Sequence, residues 1–146
     1  RRALSELGID IGILFPDHML LFAGIPNIEY ATFLARAYNR WLLEEWLREE
    51  PGLYGVVLAA PQNPEAAAEE IRRYAKEERI VGVYLPTAGV NPLWGHRKYD
   101  PIMAAAQETN LPVCLHSVTL ITPAFPCQLE QFAHQREAVV LRMPPP

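Results

Sequence analysis

LYGVVLAAPQNPEAAAEEIRRYAKEERIVGVYLP, residues 53–86, decides the fold. It opens on an apolar run, 53–61, that is hydrophobic on both faces and ends at a proline. Asn63 can then cap a helix, and Pro64 suits its first turn because that position has no intrahelical use for an N–H. Ala67, Ile71, Tyr74 and Ala75 fall on one stripe of that helix. A second apolar run, 79–86, closes the unit. Strands apolar on both faces and joined through a helix predict a parallel sheet covered by helices.

The same grammar extends in both directions. Upstream, IDIGILFP (9–16) reads as a strand, with Ile9, Ile11, Ile13 and Phe15 alternating. A helix is predicted over 27–50, capped by Asn27, with Leu34, Tyr38, Trp41 and Leu42 on its apolar face and Pro51-Gly52 as its stop. Downstream, Asp100 and Pro101 repeat the cap-and-proline device, with Ile102, Ala105 and Ala106 facing inward. LPVCLHS (111–117) is a fourth strand, PCQLEQFAHQRE (126–137) a last helix and EAVVLRM (137–143) a weaker fifth strand. From Leu53 onward the strands recur at roughly the length of a βα unit. Two α/β architectures accommodate this order: an open doubly wound sheet, or an arc of a (β/α)8 barrel. A whole barrel takes about 250 residues, so the arc would hold four to five parallel βα units.

The chain has 146 residues, half of them hydrophobic, and a net charge of −4. That composition supports a folded single domain and argues against disorder. Without a basic block, neither nucleic acid nor an anionic membrane is an expected partner. No apolar run approaches the roughly 18 residues of a membrane span. The opening RRALSELGID lacks the apolar segment of a secretory signal, and the two cysteines, Cys114 and Cys127, form no metal-binding spacing. A cytoplasmic protein with reduced thiols is the expectation.

Candidate chemistry gathers after the strands, at the end where parallel sheets keep their sites. His116 ends the fourth strand, where an imidazole can bind a divalent metal, move a proton or simply bond to backbone. His18 follows the first strand and can be a ligand, contact a substrate or serve a turn. Trp94, His96 and Arg97 lie in NPLWGHRKYDP (91–101). Arg97 can hold a carboxylate in a bidentate pair, and Trp94 can either roof a pocket or plug the sheet end. Phe125, between two prolines, suits an apolar mouth for a small aromatic or unsaturated substrate, or plain packing. No glycine-rich phosphate loop, GxSxG elbow or HExxH motif occurs.

LGIDIGILFP, AGIPNIEYATFLARAYNRWLLEEW, LYGVVLAAPQNPEAAAEEIRRY and, above all, PLWGHRKYDPIMAAAQETNLPVCLHS resemble the amidohydrolase-related family. That group of the amidohydrolase superfamily includes metal-dependent hydrolases and nonoxidative decarboxylases such as aminocarboxymuconate semialdehyde decarboxylase. The resemblance covers about residues 1–132. It implies a (β/α)8 barrel holding a divalent metal, commonly zinc. The ligands it implies are an H-x-H pair on the first strand, a histidine ending the fifth and an aspartate ending the eighth. His116 matches the fifth-strand histidine, IGILFP the second strand and LYGVVLAAP the third. The sequence contains no H-x-H pair, and REAVVLRMPPP departs from the family pattern. The expectation is therefore a partial barrel, truncated at both ends. Its parent function would be a hydrolase or decarboxylase of a small carboxylated substrate, inactive as this chain alone. The alternative is a noncatalytic partial barrel serving as an interaction module. Either way, its edge strands predict a homo-oligomer.

Overall fold

The computed structural model describes Leu4, Glu6 and residues 8–116. The helix expected at 126–137, the strand at 137–143, and Phe125, Cys127 and His134 lie outside the described residues.

Four strands form one sheet in chain order, β1 (Gly12–Leu14), β2 (Leu53–Leu58), β3 (Ile80–Pro86) and β4 (Val113–His116), and every neighbouring pair is parallel. The helices between them are α1 (Ile28–Trp41), α2 (Pro64–Tyr74) and α3 (Asp100–Glu108). This is a curled half-barrel, a partial TIM barrel, as the strand–helix grammar implies.

Two caps read from sequence are in place. The Asn27 side chain accepts from the Tyr30 N–H at 2.8 Å, and that of Asn63 from the Ala66 N–H at 3.2 Å. Asp100 differs: it is already the first residue of α3, whose N-cap is Tyr99 with no side-chain bond. The helix expected across 27–50 is α-helical only to Trp41 and continues as a π-helical stretch, Leu42–Leu47. Its buried stripe also differs, running through Ala31, Ala35, Asn39, Leu42 and Leu43, while Trp41 is exposed. Ala31 and Ala35 pack into the inner cluster with Val56 and Leu58 of β2, and Asn39 bonds to the Leu58 backbone. Gly52, at φ +90°, then turns the chain into β2; a Cβ there would sit 2.6 Å from the Asp10 carbonyl oxygen. The strand expected at 9–16 pairs only over Gly12–Leu14.

The sheet divides the core in two. On the outer face, Leu53, Val57, Val83 and Leu85 pack against Leu42, Leu47, Ile71, Ile102 and Ala105 from the helices. Each fully buried branched side chain there contributes about 1.5–3 kcal/mol. On the inner face, Val56, Leu58 and Tyr84 gather with Phe22, Ala31 and Ala35, and Cys114 packs beside them. Strand alternation therefore places His116, two residues after Cys114, on the inner face.

Candidate functional site at the carboxyl ends of the strands

At this end of the sheet, side chains complete what the backbone ladder leaves open. β1 stops pairing at Gly55, so the edge of β2 beyond it needs another partner. Asn39, 2% exposed, supplies one: its Oδ1 accepts from the Leu58 N–H at 2.8 Å and its Nδ2 donates to the Leu58 carbonyl at 3.2 Å. At the end of β3, the indole Nε1 of Trp94 donates to the Pro86 carbonyl at 3.0 Å. At the end of β4, the Thr87 hydroxyl donates to the His116 carbonyl at 2.7 Å.

The loops beyond the strands are tied to one another. Gln62 Nε2 donates to the carbonyls of Phe22 and Ile25, which holds the long 17–26 connection against the β2–α2 loop. Gly89, at φ +84°, lies against Gly24 so closely that a Cβ would meet its backbone nitrogen at 2.5 Å. Only glycine allows that approach together with that φ.

The inner face carries a row of rings. Tyr84 on β3 is fully buried between Phe15, edge-on at 6.4 Å between centroids, and His116, tilted at 6.3 Å. The Tyr84 hydroxyl is buried and, among the described residues, has no hydrogen-bond partner. Desolvation, with a smaller contribution from the Asp17 carboxylate, pushes its pKa up to about 12, so it stays protonated at neutral pH. A buried hydroxyl without a partner costs free energy and calls for an explanation.

Of the residues singled out by sequence, His116 sits exposed on the inner face at the end of β4. His18 lies exposed on a short 3-10 turn, Asp17–Met19, just past Phe15. Tyr84 thus lies between the His116 strand and Phe15, the residue that leads into the His18 turn. Trp94 is buried in the outer layer, its ring 4.5 Å from that of Tyr99. Its indole N–H donates to the Pro86 carbonyl. His96 and Arg97 are exposed on a turn rooted in that layer, and His96 Nδ1 accepts from the Lys98 N–H at 3.1 Å. Sequence reasoning passed over Tyr84, Thr87 and Asn39. Alternation places Tyr84 on a strand face, but nothing in the sequence reveals which face becomes the inner one.

Among the described residues, no group of three or more His, Cys, Asp or Glu side chains could hold a metal ion. His116 fits such a centre as one imidazole donor. A structural metal site takes about four ligands, so the described residues do not form a metal centre by themselves. A groove of about 420 Å³ lies elsewhere, on the outer side, lined by Phe33, Arg36, Arg40, Arg73 and Tyr74 among others. Its arginines face carboxylates: Arg36 meets Glu69 and Glu70, Arg40 meets Glu44, and Arg73 meets Glu70.

A family profile described as amidohydrolase matches residues 13–141. The chain belongs to the amidohydrolase family. Gamma-resorcylate decarboxylase from Rhodococcus jostii is 32% identical in an alignment of 101 positions that covers 63% of this chain and 31% of that protein. The 2,6-dihydroxybenzoate decarboxylase from Rhizobium superposes with a TM-score of 0.71 at 25% identity, over 82% of this chain and 39% of that one. The 5-carboxyvanillate decarboxylase from Novosphingobium aromaticivorans, solved with bound manganese, gives a TM-score of 0.70 at 26% identity, over 82% and 35%. The chain therefore spans about a third of the length of these amidohydrolase relatives. Among its described residues no helix is long and apolar enough to cross a membrane.

Proposed function

We propose that this amidohydrolase chain forms an arc of a decarboxylase barrel that removes CO2 from a small aromatic carboxylate without oxidation. The observation that carries this reading is the ring row of the inner face, ending in His116 at the strand terminus. The relatives named as decarboxylases of aromatic acids support it. In this reading His116 supplies one ligand to a divalent metal. Manganese, present in a relative's structure, is the first ion to test beside zinc.

Decarboxylation without oxidation needs a proton delivered to the ring carbon that bears the carboxylate. The C–C electron pair then returns to the ring as CO2 leaves. This chain's residues contribute recognition. Phe15, exposed and backed by the buried Tyr84 ring, presents an apolar wall to a flat ring. The Tyr84 hydroxyl, protonated and unpartnered, is suited to donate to a substrate oxygen once the wall opens to it. His18, and less directly His96, Arg97 and Trp94, belong to the loops around that ring site, and Phe125 belongs to the segment that follows His116. The same reading has the protein working in a reducing cytoplasm, and the chain self-associating through its apolar strand edges.

The test is a chimera in which residues 13–116 replace the matching arc of the Rhodococcus jostii decarboxylase. It should retain turnover of that enzyme's own substrate, and His116→Ala should abolish both turnover and manganese retention. A folded chimera in which His116→Ala changes neither would reject the assignment. The 146-residue chain alone should show no turnover. Robust metal-dependent decarboxylation by it would reject the arc reading.

A further inference from the structure

We propose that Thr87 is a positioning residue for His116, its hydroxyl fixing the strand end from which the imidazole projects. The inference rests on His116 being a working group of the inner face, as argued above.

The parallel ladder between β3 and β4 shows why the contact is specific. Val83 N–H donates to the Pro112 carbonyl at 2.9 Å, and the register continues from Val83↔Val113 to Pro86↔His116. Rungs of a parallel pair recur every second residue. After Val83, the residue of β3 aimed at β4 is therefore Leu85, and Thr87, just past the strand end, continues that alternation to meet the carbonyl of His116. There the Thr87 hydroxyl makes the bond, at 2.7 Å, the favoured length for O–H···O. Thr87 is 2% exposed and β-branched, so its χ1 has little freedom and its hydroxyl direction is set by the backbone. The other side of β3 ends in the same manner, with Pro86 accepting from the buried Trp94 indole. β3 is thus pinned at its last residue, and β4 is pinned to it at the residue that bears the imidazole.

Tyr84 supplies the second constraint. It lies on the inner face of the same strand, three residues before Thr87, with its ring against that of His116. The Thr87 bond holds the His116 backbone, and the Tyr84 ring limits where the imidazole can swing. Valine at position 87 keeps the branched shape and removes the donor. Serine keeps the donor and removes a methyl.

The test uses the isotopically labelled chain as wild type, Thr87→Val and Thr87→Ser. Three-bond couplings give the His116 χ1 population, cross-relaxation reports contact between the His116 and Tyr84 rings, and thermal midpoints monitor the fold. Wild type and Thr87→Ser should show a single χ1 rotamer and ring–ring contact. Thr87→Val, with the amide dispersion of β2 and β3 unchanged, should show averaged χ1 and lost ring contact. It should also need about tenfold more Mn²⁺ for paramagnetic broadening of His116, at the lower end of what a partner behind a metal ligand is worth. Unchanged couplings and ring contacts in Thr87→Val overturn the proposal. So does failure of both variants to fold, which would make Thr87 a folding residue. If Mn²⁺ leaves His116 sharp even in wild type, the metal-ligand reading falls, while the couplings and ring contacts still decide the role of Thr87.

Discussion

Leu85 on β3 and Leu115 on β4 are register partners with the same side chain, yet Leu85 is fully buried and Leu115 is 58% exposed. Both point to the helix-covered face. Leu85 lies in the outer core formed with α2 and α3, and Leu115 lies on the edge strand beyond it. The opposite edge repeats the contrast. On the inner face, Ile13 on β1 is 51% exposed and Ile11 just before it 63%, whereas Val56 on β2 is buried. Hydrophobicity makes all four segments strands, but place in the sheet decides whether that hydrophobicity is used. Among the described residues, apolar edges of this kind present unpaired backbone and side chains to any suitable partner.

Paired truncations give the most direct way to break this comparison. Leu85→Ala should cost about 2–5 kcal/mol by the loss of buried methyls and the cavity they leave. Leu115→Ala should stay within about 0.5 kcal/mol. Urea unfolding of both variants measures the difference, and equal losses would mean that the β4 edge is covered in solution.

Asn39 tests the same boundary from inside the helix. Asn39→Ala leaves the Leu58 N–H and carbonyl without their side-chain partners. At about 1–3 kcal/mol for each buried group left unsatisfied, the loss should approach that of Leu85→Ala. A loss below about 1 kcal/mol, on the scale of a surface change, would show that another group or water takes over.

Alkaline pH should separate buried from exposed tyrosines. Burial raises the pKa of Tyr38 and Tyr84 to about 12, against about 10 for an unfolded tyrosine. The neutral phenol is therefore favoured by the fold. Its contribution is complete below about pH 10 and is lost as pH rises from there through about 12. Stability against pH should fall across that window, and Tyr38→Phe with Tyr84→Phe should flatten the fall. At neutral pH, Tyr84→Phe alone should be neutral or slightly stabilising, since it removes an unpartnered hydroxyl. A clear destabilisation would reveal a partner for that oxygen.

The smallest change in stability, within about 0.5 kcal/mol, is expected from Ile11→Lys with Ile13→Lys on the exposed edge. Its effect belongs to assembly. Sedimentation at micromolar concentration should show self-association in the wild type and a shift toward monomer in the variant. A wild-type chain sedimenting as a 16.5 kDa monomer would overturn the edge argument.

Much of this molecule is legible in its residues taken in order. The four apolar runs, the Asn27 and Asn63 caps, the stop at Gly52 and the inward face of α3 follow from local chemistry. So does the placement of His116 at a strand's carboxyl end, because period-two alternation and parallel connection are properties of the chain itself. What local chemistry could not reveal depends on contacts between distant segments. The bond from Asn39 to Leu58 spans 19 residues, and that from Thr87 to His116 spans 29. A periodic pattern carries no record of such pairs, because it reports which way a side chain faces and not what it meets. Trp41 reads as core and is exposed, while Asn39, off the predicted apolar face, is buried, because its amide pairs with the Leu58 backbone of β2. Sequence determined the strands, the helices and the lone imidazole. Tertiary structure decided which apolar faces are covered and which side chains finish the sheet, since both depend on neighbours supplied by other parts of the chain.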